Sequence, residues 1–369
     1  MSPAGSPGIG AAESRAAVRR VPVVFGALVL LAVVGVVAAH FVRASKHVAT
    51  IRTIPVDVSC PVPGVCVAVD DAGNALWYRG HTWSKAKNIQ PAPLNRISCA
   101  TASFCVAVGV SGEAEVYRSG VWSSPHSVAP HSAGLRAPSS GPTGVGVVSC
   151  PTPTRCVAGD SLGQAVVLDR DTWQPPNVIR LPNVSHQRRE RGSADMAAIS
   201  CSGPTWCQSV AVSSDVASFD GKKWTVTATL ESSSDMQAAQ NKAVPSVAAL
   251  SCTSSSFCVA VDAFGRAFTY RGSWSGPEPV DTDSARVGSG LGLSAVSCTS
   301  STFCVAVDDR GDALTYDGTS WSTPAQVDPT LGLASVSCAS PTFCMALDDL
   351  GHATRYDGTR WSAPQALER

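Results

Sequence analysis

The sequence predicts an all-β fold: a seven-bladed β-propeller of four-stranded antiparallel blades, preceded by one N-terminal transmembrane helix. A Ser-Cys dipeptide, five further residues and a second cysteine recur seven times in recognisable form. Each copy is followed by a tryptophan, 16 or 17 residues after the second cysteine. The copies repeat every 39 to 51 residues, a period typical of propeller blades. Seven such units predict a closed ring.

The sixth copy shows the four strands of one blade. Residues 296–298 and 304–308 are predicted to be two strands around a five-residue loop, and residues 313–316 a third. Trp321 begins the fourth. Asp-Asp-x-Gly and Asp-Gly separate these later strands, and both compositions suit tight turns. Each copy is therefore predicted to be a four-stranded meander.

All fourteen cysteines belong to the repeat, and each is predicted to form a disulfide within its own blade. A bond across the first hairpin closes a short loop and stabilises a blade by about 2 kcal/mol. Structural zinc sites usually pair cysteines two to four residues apart, so we predict no metal and no cofactor. The predicted pairs are Cys60/Cys66, Cys99/Cys105, Cys150/Cys156, Cys201/Cys207, Cys252/Cys258, Cys298/Cys304 and Cys338/Cys344.

The turn at residues 315–321, Thr-Tyr-Asp-Gly-Thr-Ser-Trp, resembles the Asp-box of sialidase-type propellers with one residue fewer between Asp and Gly. Residues 219–224 and 356–361 repeat the pattern. More broadly, the chain resembles bacterial secreted or membrane-tethered propellers with Asp-box, YVTN or kelch repeats. In the sialidase-type family the box is a structural turn remote from the active site. The resemblance therefore implies a fold rather than an activity.

The N-terminal region predicts a signal anchor. Residues 21–39 are uncharged and long enough to cross a bilayer. We predict a cytoplasmic tail at residues 1–20, a transmembrane helix at 21–42, a linker at 43–54 and the propeller at 55–369. Paired cysteines indicate an oxidising compartment, so the protein is predicted to be a single-pass protein of the cell membrane with a cytoplasmic N-terminus and an extracytoplasmic propeller. A signal peptide cleaved after Ala44 is the alternative.

The charge balance argues against a nucleic-acid partner. Lys plus Arg equals Asp plus Glu at 28 each, and charged residues make up 15% of the chain. No overall positive field favours a polyanion. The predicted partners are the membrane and a protein, peptide or cell-envelope glycan.

The links between blades predict where a ligand binds. From repeat tryptophan to next cysteine the chain has 15 residues in the first link, 27 in the next three, 23 in the fifth and 16 in the sixth. A meander places all links at one end of the ring, where long loops commonly carry function. We therefore predict a binding or scaffold propeller that uses the loops joining blades 2 to 5. The candidate ligand-binding residues are His126, His131, Arg136, His186, Arg188, Arg189, Arg191 and Trp206.

A cell-surface carbohydrate-active enzyme, a sialidase-like hydrolase or lyase, is the alternative function. The resemblance implies a nucleophilic tyrosine, but all five tyrosines share one repeat position, where Leu168 and Phe219 stand in the other blades. That position is a packing site. We assign no catalytic residue, and the aspartates of the turns are interpreted as turn-forming residues.

If the span is a retained anchor, the mature protein keeps residues 21–42. Mass spectrometry of the mature N-terminus checks this expectation. A chain beginning near Ser45 would show that the segment is a cleaved signal peptide.

Overall fold

The computed structural model describes residues 54–128, 144–179, 196–231, 247–281 and 292–367, which form seven antiparallel sheets. The sheets follow one another along the chain and pack face to face, so the predicted seven-bladed propeller of four-stranded blades is confirmed. The predicted tail, transmembrane helix and nearly all of the linker lie outside the described residues. Within the described ranges, no helix has the length and apolar character needed to cross a membrane.

The strands are numbered in chain order. Blades 1 to 3 contain β1 Pro55–Val62, β2 Val65–Asp70, β3 Asn74–Arg79, β4 Thr82–Trp83, β5 Lys87–Asn88; β6 Leu94–Thr101, β7 Phe104–Gly109, β8 Glu113–Arg118, β9 Val121–Trp122, β10 His126–Ser127; and β11 Val145–Thr152, β12 Arg155–Asp160, β13 Gln164–Asp169, β14 Thr172–Trp173, β15 Asn177–Val178. Blades 4 to 7 contain β16 Met196–Gly203, β17 Trp206–Ala211, β18 Asp215–Phe219, β19 Trp224–Thr229; β20 Val247–Ser254, β21 Phe257–Asp262, β22 Arg266–Tyr270, β23 Trp274–Pro279; β24 Leu293–Ser300, β25 Phe303–Asp308, β26 Asp312–Tyr316, β27 Ala325–Gln326; and β28 Leu333–Ser340, β29 Phe343–Asp348, β30 His352–Tyr356, β31 Gln365–Ala366.

The first strand of every blade faces the ring centre. Each first strand packs against the first strands of the two neighbouring blades, and β1 packs against β28. The sheet of blade 7 contains only β28 to β31, and β1 belongs to blade 1. The ring therefore closes by face-to-face packing, without a shared strand.

Alternate residues of each second strand give a blade one bulky face and one small face. Val305 and Val307 of blade 6 are fully buried against Cys344 and Ala346 of blade 7. Other interfaces repeat this pairing, and at the closure Met345 stands in a valine position. The small Cys-Ala face lets each sheet approach its neighbour closely, which is how a sheet with few large side chains reaches interior packing density.

A ring of hydrogen bonds joins all seven blades. The backbone N–H of the first cysteine in each blade donates to the hydroxyl of the serine that precedes the cysteine of the previous blade, at 2.9 to 3.0 Å. The pairs are Cys60 with Ser337, Cys99 with Ser59, Cys150 with Ser98, Cys201 with Ser149, Cys252 with Ser200, Cys298 with Ser251 and Cys338 with Ser297. These serines are the same residue in all seven copies, a signal that the sequence analysis left without a role.

All seven predicted disulfides are confirmed, and each links the first two strands of one blade. The second cysteine of every pair is at most 1% exposed, because it belongs to the small face that packs against the previous blade. The bonds join Cys60 to Cys66, Cys99 to Cys105, Cys150 to Cys156, Cys201 to Cys207, Cys252 to Cys258, Cys298 to Cys304 and Cys338 to Cys344. Every predicted cysteine therefore has a structural role in the packing of the ring.

The hairpin that each disulfide crosses is tighter than the predicted five-residue loop. In blade 6, β24 continues to Ser300 and β25 begins at Phe303. The two cysteines, Cys298 and Cys304, therefore stand directly opposite each other within the ladder. Across the seven pairs the Cα atoms are 3.9 to 4.1 Å apart.

The outer strand of most blades is interrupted after the repeat tryptophan. In blade 6, Trp321 forms an isolated bridge with Tyr316, and β27 begins only at Ala325. The hydroxyl of Ser322 accepts a hydrogen bond from the N–H of Thr315 at 3.0 Å, so it replaces a ladder bond. Proline at position 324 has no N–H to donate. The predicted fourth strand therefore forms as two short segments.

One buried acid stands in the packing between blades 1 and 2. Glu115 is fully buried, and neither carboxylate oxygen has a hydrogen-bond partner among the described residues. Leu76 and Leu314 hold the equivalent ladder position in other blades. Burial, with a smaller contribution from the charge of Glu113, raises the pKa of Glu115 to about 8. The side chain is therefore neutral at neutral pH.

Substitution of the closing serine, Ser337→Ala, is expected to lower the free energy of unfolding by about 1 to 3 kcal/mol, because the N–H of Cys60 loses its partner inside the ring. Chemical denaturation measures the change. Ser273→Ala, at an exposed position, is the matched control and is expected to stay within about 0.5 kcal/mol. Equal stability of the two variants would contradict a role for the serine ring.

Glu115 predicts a pH-dependent stability. Its pKa is raised in the fold, so the unfolded chain releases the proton first, and the free energy of unfolding falls as pH rises from about 4.5 to about 8. Glu115→Leu is expected to reduce this dependence and to add about 1 to 3 kcal/mol at pH 8. A smaller dependence should remain, because burial also raises the pKa of Asp309 to about 6. Denaturation at pH 5 and pH 8 checks it. Glu115→Gln, which cannot ionise, should show the same reduced slope; a wild-type-like slope in either variant would refute the assignment.

Candidate binding site

The aspartates that end the second strands are structural. In five blades one carboxylate oxygen accepts hydrogen bonds from the N–H groups two and four residues later, at 2.7 to 3.0 Å. The residues are Asp70, Asp160, Asp262, Asp308 and Asp348. These bonds hold the turn between the second and third strands, which confirms the interpretation of these five aspartates as turn-forming residues.

The exposed Asp-Gly turns at the other end use the same device. Asp317 accepts hydrogen bonds from the N–H groups of Thr319 and Ser320, at 2.8 Å each, and from the Thr319 hydroxyl at 2.7 Å. The hydroxyl and the two N–H groups lower the pKa of Asp317 to about 2. Gly318 follows with a φ of 101°, in the region that favours glycine. This turn is therefore a local structural unit held by one oxygen of the Asp317 carboxylate.

The central channel contains a small cavity of about 120 Å³. Residues three positions before each first cysteine line it: Asp57, Arg96, Val147, Ala198, Ala249, Ala295 and Ser335. Small-molecule sites usually measure about 300 to 1,000 Å³. The cavity can thus hold water or an ion-sized group, whereas a sugar or peptide would have to bind at its mouth.

Asp57 ties three blades together at this cavity. Its carboxylate accepts hydrogen bonds from the Ser335 hydroxyl of blade 7, at 2.7 Å, and from the Ile97 N–H of blade 2, at 2.9 Å. Burial raises the pKa of Asp57, and the positive charge of Arg96 offsets part of that rise. Arg96 itself is exposed. The channel therefore presents a guanidinium toward solvent and keeps its carboxylate within the scaffold.

The end of the ring from which the links emerge carries exposed apolar side chains. Val110 and Leu350, at turns between second and third strands, are 37% and 40% exposed. Ile54, just before β1, is 40% exposed, and its N–H donates to Asp71 at 2.7 Å. We call this end the link face. Blades 7, 1 and 2 are neighbours in the closed ring, so these three side chains lie on one sector of the link face. Exposed valines also occur near the opposite end, at Val62 and Val121.

The structure describes two of the eight sequence-predicted binding residues. His126 is exposed in β10 and lines a groove of about 550 Å³ between blades 2 and 3. Trp206 is half-buried, and its ring lies 6.2 Å from that of Tyr270 in the packing between blades 4 and 5. The other six lie outside the described residues: His131, Arg136, His186, Arg188, Arg189 and Arg191.

Four residues of this site are not among those predicted from the sequence: Asp57, Arg96, Val110 and Leu350. A signal existed for the first two, because they are the only charged residues at a repeat position otherwise filled by Val, Ala or Ser. Val110 and Leu350 fill variable positions of turns. Their exposure follows from the turn geometry and has no mark in the repeat pattern.

Solved structures similar to this chain include two propellers. One, described as YCF48 bound to D1 peptide, has a TM-score of 0.58 and 13% sequence identity, with 83% of this chain and 92% of that chain covered. The other, YCF48 from Cyanidioschyzon merolae, has a TM-score of 0.58 and 14% identity, over 83% and 95% of the two chains. At this identity the likeness shows the fold alone. No family model and no curated protein matches the chain.

Proposed function

We propose that this protein is a binding propeller that recognises a protein or peptide at the link face, and that the segment at residues 21–42 anchors it outside the cell membrane. The observation that carries the proposal is the exposed apolar character of the link face at Ile54, Val110 and Leu350. The exposed Arg96 adds a cation at the centre of the same face. Apolar anchors around a charged centre favour a macromolecular partner.

The lengths of the links support the same face. Three consecutive links have 27 residues between tryptophan and cysteine, against 15 in the first. All links join the end of one blade to the start of the next, so they leave the ring at the link face. The three long links join blades 2 to 5, and Val110 belongs to blade 2, the first of these blades. Loops on a rigid scaffold commonly bind.

The similar YCF48 structure with its D1 peptide supports a peptide or protein as the ligand class. A ring of the same architecture binds a peptide in that case, so the fold is compatible with this use. Which ligand this chain binds depends on the residues of its own surface.

The geometry of the channel supports binding over catalysis. Carbohydrate hydrolysis usually needs two carboxylates flanking the scissile bond. Among the described residues that line the channel, Asp57 is the one carboxylate, and hydrogen bonds to Ile97 and Ser335 engage both of its oxygens. The proposal therefore assigns no chemical step to the channel.

A photo-crosslinking residue at position 110 or 350 is expected to yield adducts with the partner when the full chain is expressed in its native cells. The same residue at position 121 is the matched control, because Val121 is 69% exposed but lies near the turn at the opposite end of blade 2. Denaturing electrophoresis and mass spectrometry score the adducts. We expect adducts from positions 110 and 350 to be at least about 5-fold more abundant than adducts from position 121, because only the first two positions lie in the proposed contact surface.

Equal yields from position 121, or no adduct from the link face, would contradict the proposed surface. Shortening the three longest links to the length of the first tests the loops themselves. We expect the shortened variant to lose the adducts while its thermal stability is unchanged. If it forms as many adducts as the wild type, the links are not part of the site.

A further inference from the structure

Three blades replace the aspartate of the turn between the third and fourth strands with arginine. At the position 13 residues after the second cysteine, four blades carry aspartate and the others carry Arg79, Arg118 and Arg271. The substitution removes a carboxylate that can accept hydrogen bonds from the turn, and it places an arginine guanidinium on the outer wall of the ring.

Two of these arginines are held by the next blade. The Arg118 guanidinium donates to the carbonyl of Arg170 and pairs with the carboxylate of Asp171, at 2.7 Å each. The Arg271 guanidinium donates to the Tyr316 hydroxyl and to the carbonyl at position 318, at 3.0 Å each. Both arginines therefore have structural partners across an interface between blades.

Arg79 differs from them. Its guanidinium lies 4.7 Å from the ring centroid of Trp77 in its own strand and has no hydrogen bond or ion pair with the described residues. Trp77 is also out of pattern, because the same strand position holds Val116, Thr269 or Thr315 in other blades. An exposed cation and an unusual tryptophan thus occur together in blade 1.

Both residues line a cleft of about 440 Å³ on the outer wall between blades 1 and 2. Trp77, Trp83, Tyr117 and Trp122 form its aromatic walls. The ring centroids of Trp77 and Tyr117 are 4.6 Å apart, and those of Tyr117 and Trp122 are 5.3 Å apart. Lys87 adds a second cation. We call this site the blade 1–2 cleft.

We propose that the blade 1–2 cleft binds an acidic sugar residue that carries a carboxylate. Aromatic faces offer apolar surface on which the C–H face of a pyranose ring can lie. A guanidinium that makes no hydrogen bond or ion pair, such as that of Arg79 over Trp77, can bind a carboxylate through two parallel hydrogen bonds. The exposed Thr82 supplies a hydroxyl group at the same cleft. The volume lies within the range of small-molecule sites. This site is separate from the link face, so either can fail without the other.

The test measures binding of tetragalacturonate to the propeller-containing full chain by calorimetry, with the fully methyl-esterified oligomer as neutral counterpart. Arg79→Asp reverses the charge and installs the residue that blades 3, 4, 6 and 7 carry at this position, so the turn should still form. Its affinity for tetragalacturonate is expected to fall at least about 10-fold, as for loss of a charge-assisted hydrogen bond.

Trp77→Thr removes the aromatic wall and installs the residue of blades 5 and 6, with a similar expected loss. Arg360→Asp is the control, because it makes the same charge change at an exposed turn of blade 7 and is expected to bind like the wild type. Thermal unfolding of each variant confirms that the fold is retained.

Several outcomes would overturn the proposal. They are no binding of tetragalacturonate by the wild type, equal binding of the methyl ester, and wild-type affinity in Arg79→Asp. A fourth is binding of a hexaglutamate peptide with the same dependence on Arg79 in place of the sugar, which would assign the cleft to acidic peptides instead.

Discussion

The hydrogen bond between a serine hydroxyl and the cysteine N–H of the next blade is the constraint on which the ring depends. It recurs at every interface, including the closure between Ser337 and Cys60. The Ser-Cys dipeptide thus does two things at one point: the cysteine fixes the first hairpin within its blade, and the serine fixes the distance to the next blade. Small side chains on the Cys-Ala face make that distance possible, since a larger residue at Ala306 or Ala346 would separate the sheets.

The scaffold could be predicted from the sequence because the same pattern occurs in seven copies. Strand order, disulfides and turn aspartates recur from copy to copy, so they can be distinguished from patterns that occur once by chance. The outer strand at Trp321 could not be predicted in the same way. It is interrupted because the Ser322 hydroxyl replaces a ladder bond and a proline follows, and the spacing of the repeat does not report these local contacts. The site was harder to predict because it lies in departures from the repeat. Asp57, Arg96 and Trp77 are ordinary residues in sequence, and they become distinctive only when the ring places them beside a channel or a cleft.

The interface between blades 1 and 2 departs from the repeat at three positions. Glu115, Trp77 and Arg79 all lie between blades 1 and 2, and no other blade has an acid at the Glu115 position or a tryptophan at the Trp77 position. A neutral carboxyl without a hydrogen bond in the packing costs stability, and Arg79 lacks the hydrogen bonds to the next blade that Arg118 and Arg271 make. An interface that retains such residues is less optimised for stability than its neighbours, which is a usual property of surfaces with another task.

Closure without a shared strand determines how far apart in the chain the contacting residues are. Every sheet is built from one continuous segment, and the hydrogen bonds of the serine ring join residues 40 to 52 apart at six interfaces. At the closure the separation is 277 residues. Successive blades can therefore assemble in the order in which the chain emerges, each on the face of the one before, at a modest entropic cost of loop closure. Until blade 7 arrives, the first and last sheets of the growing array each leave one apolar face in water, so sealing the ring is the single long-range event in the formation of this fold.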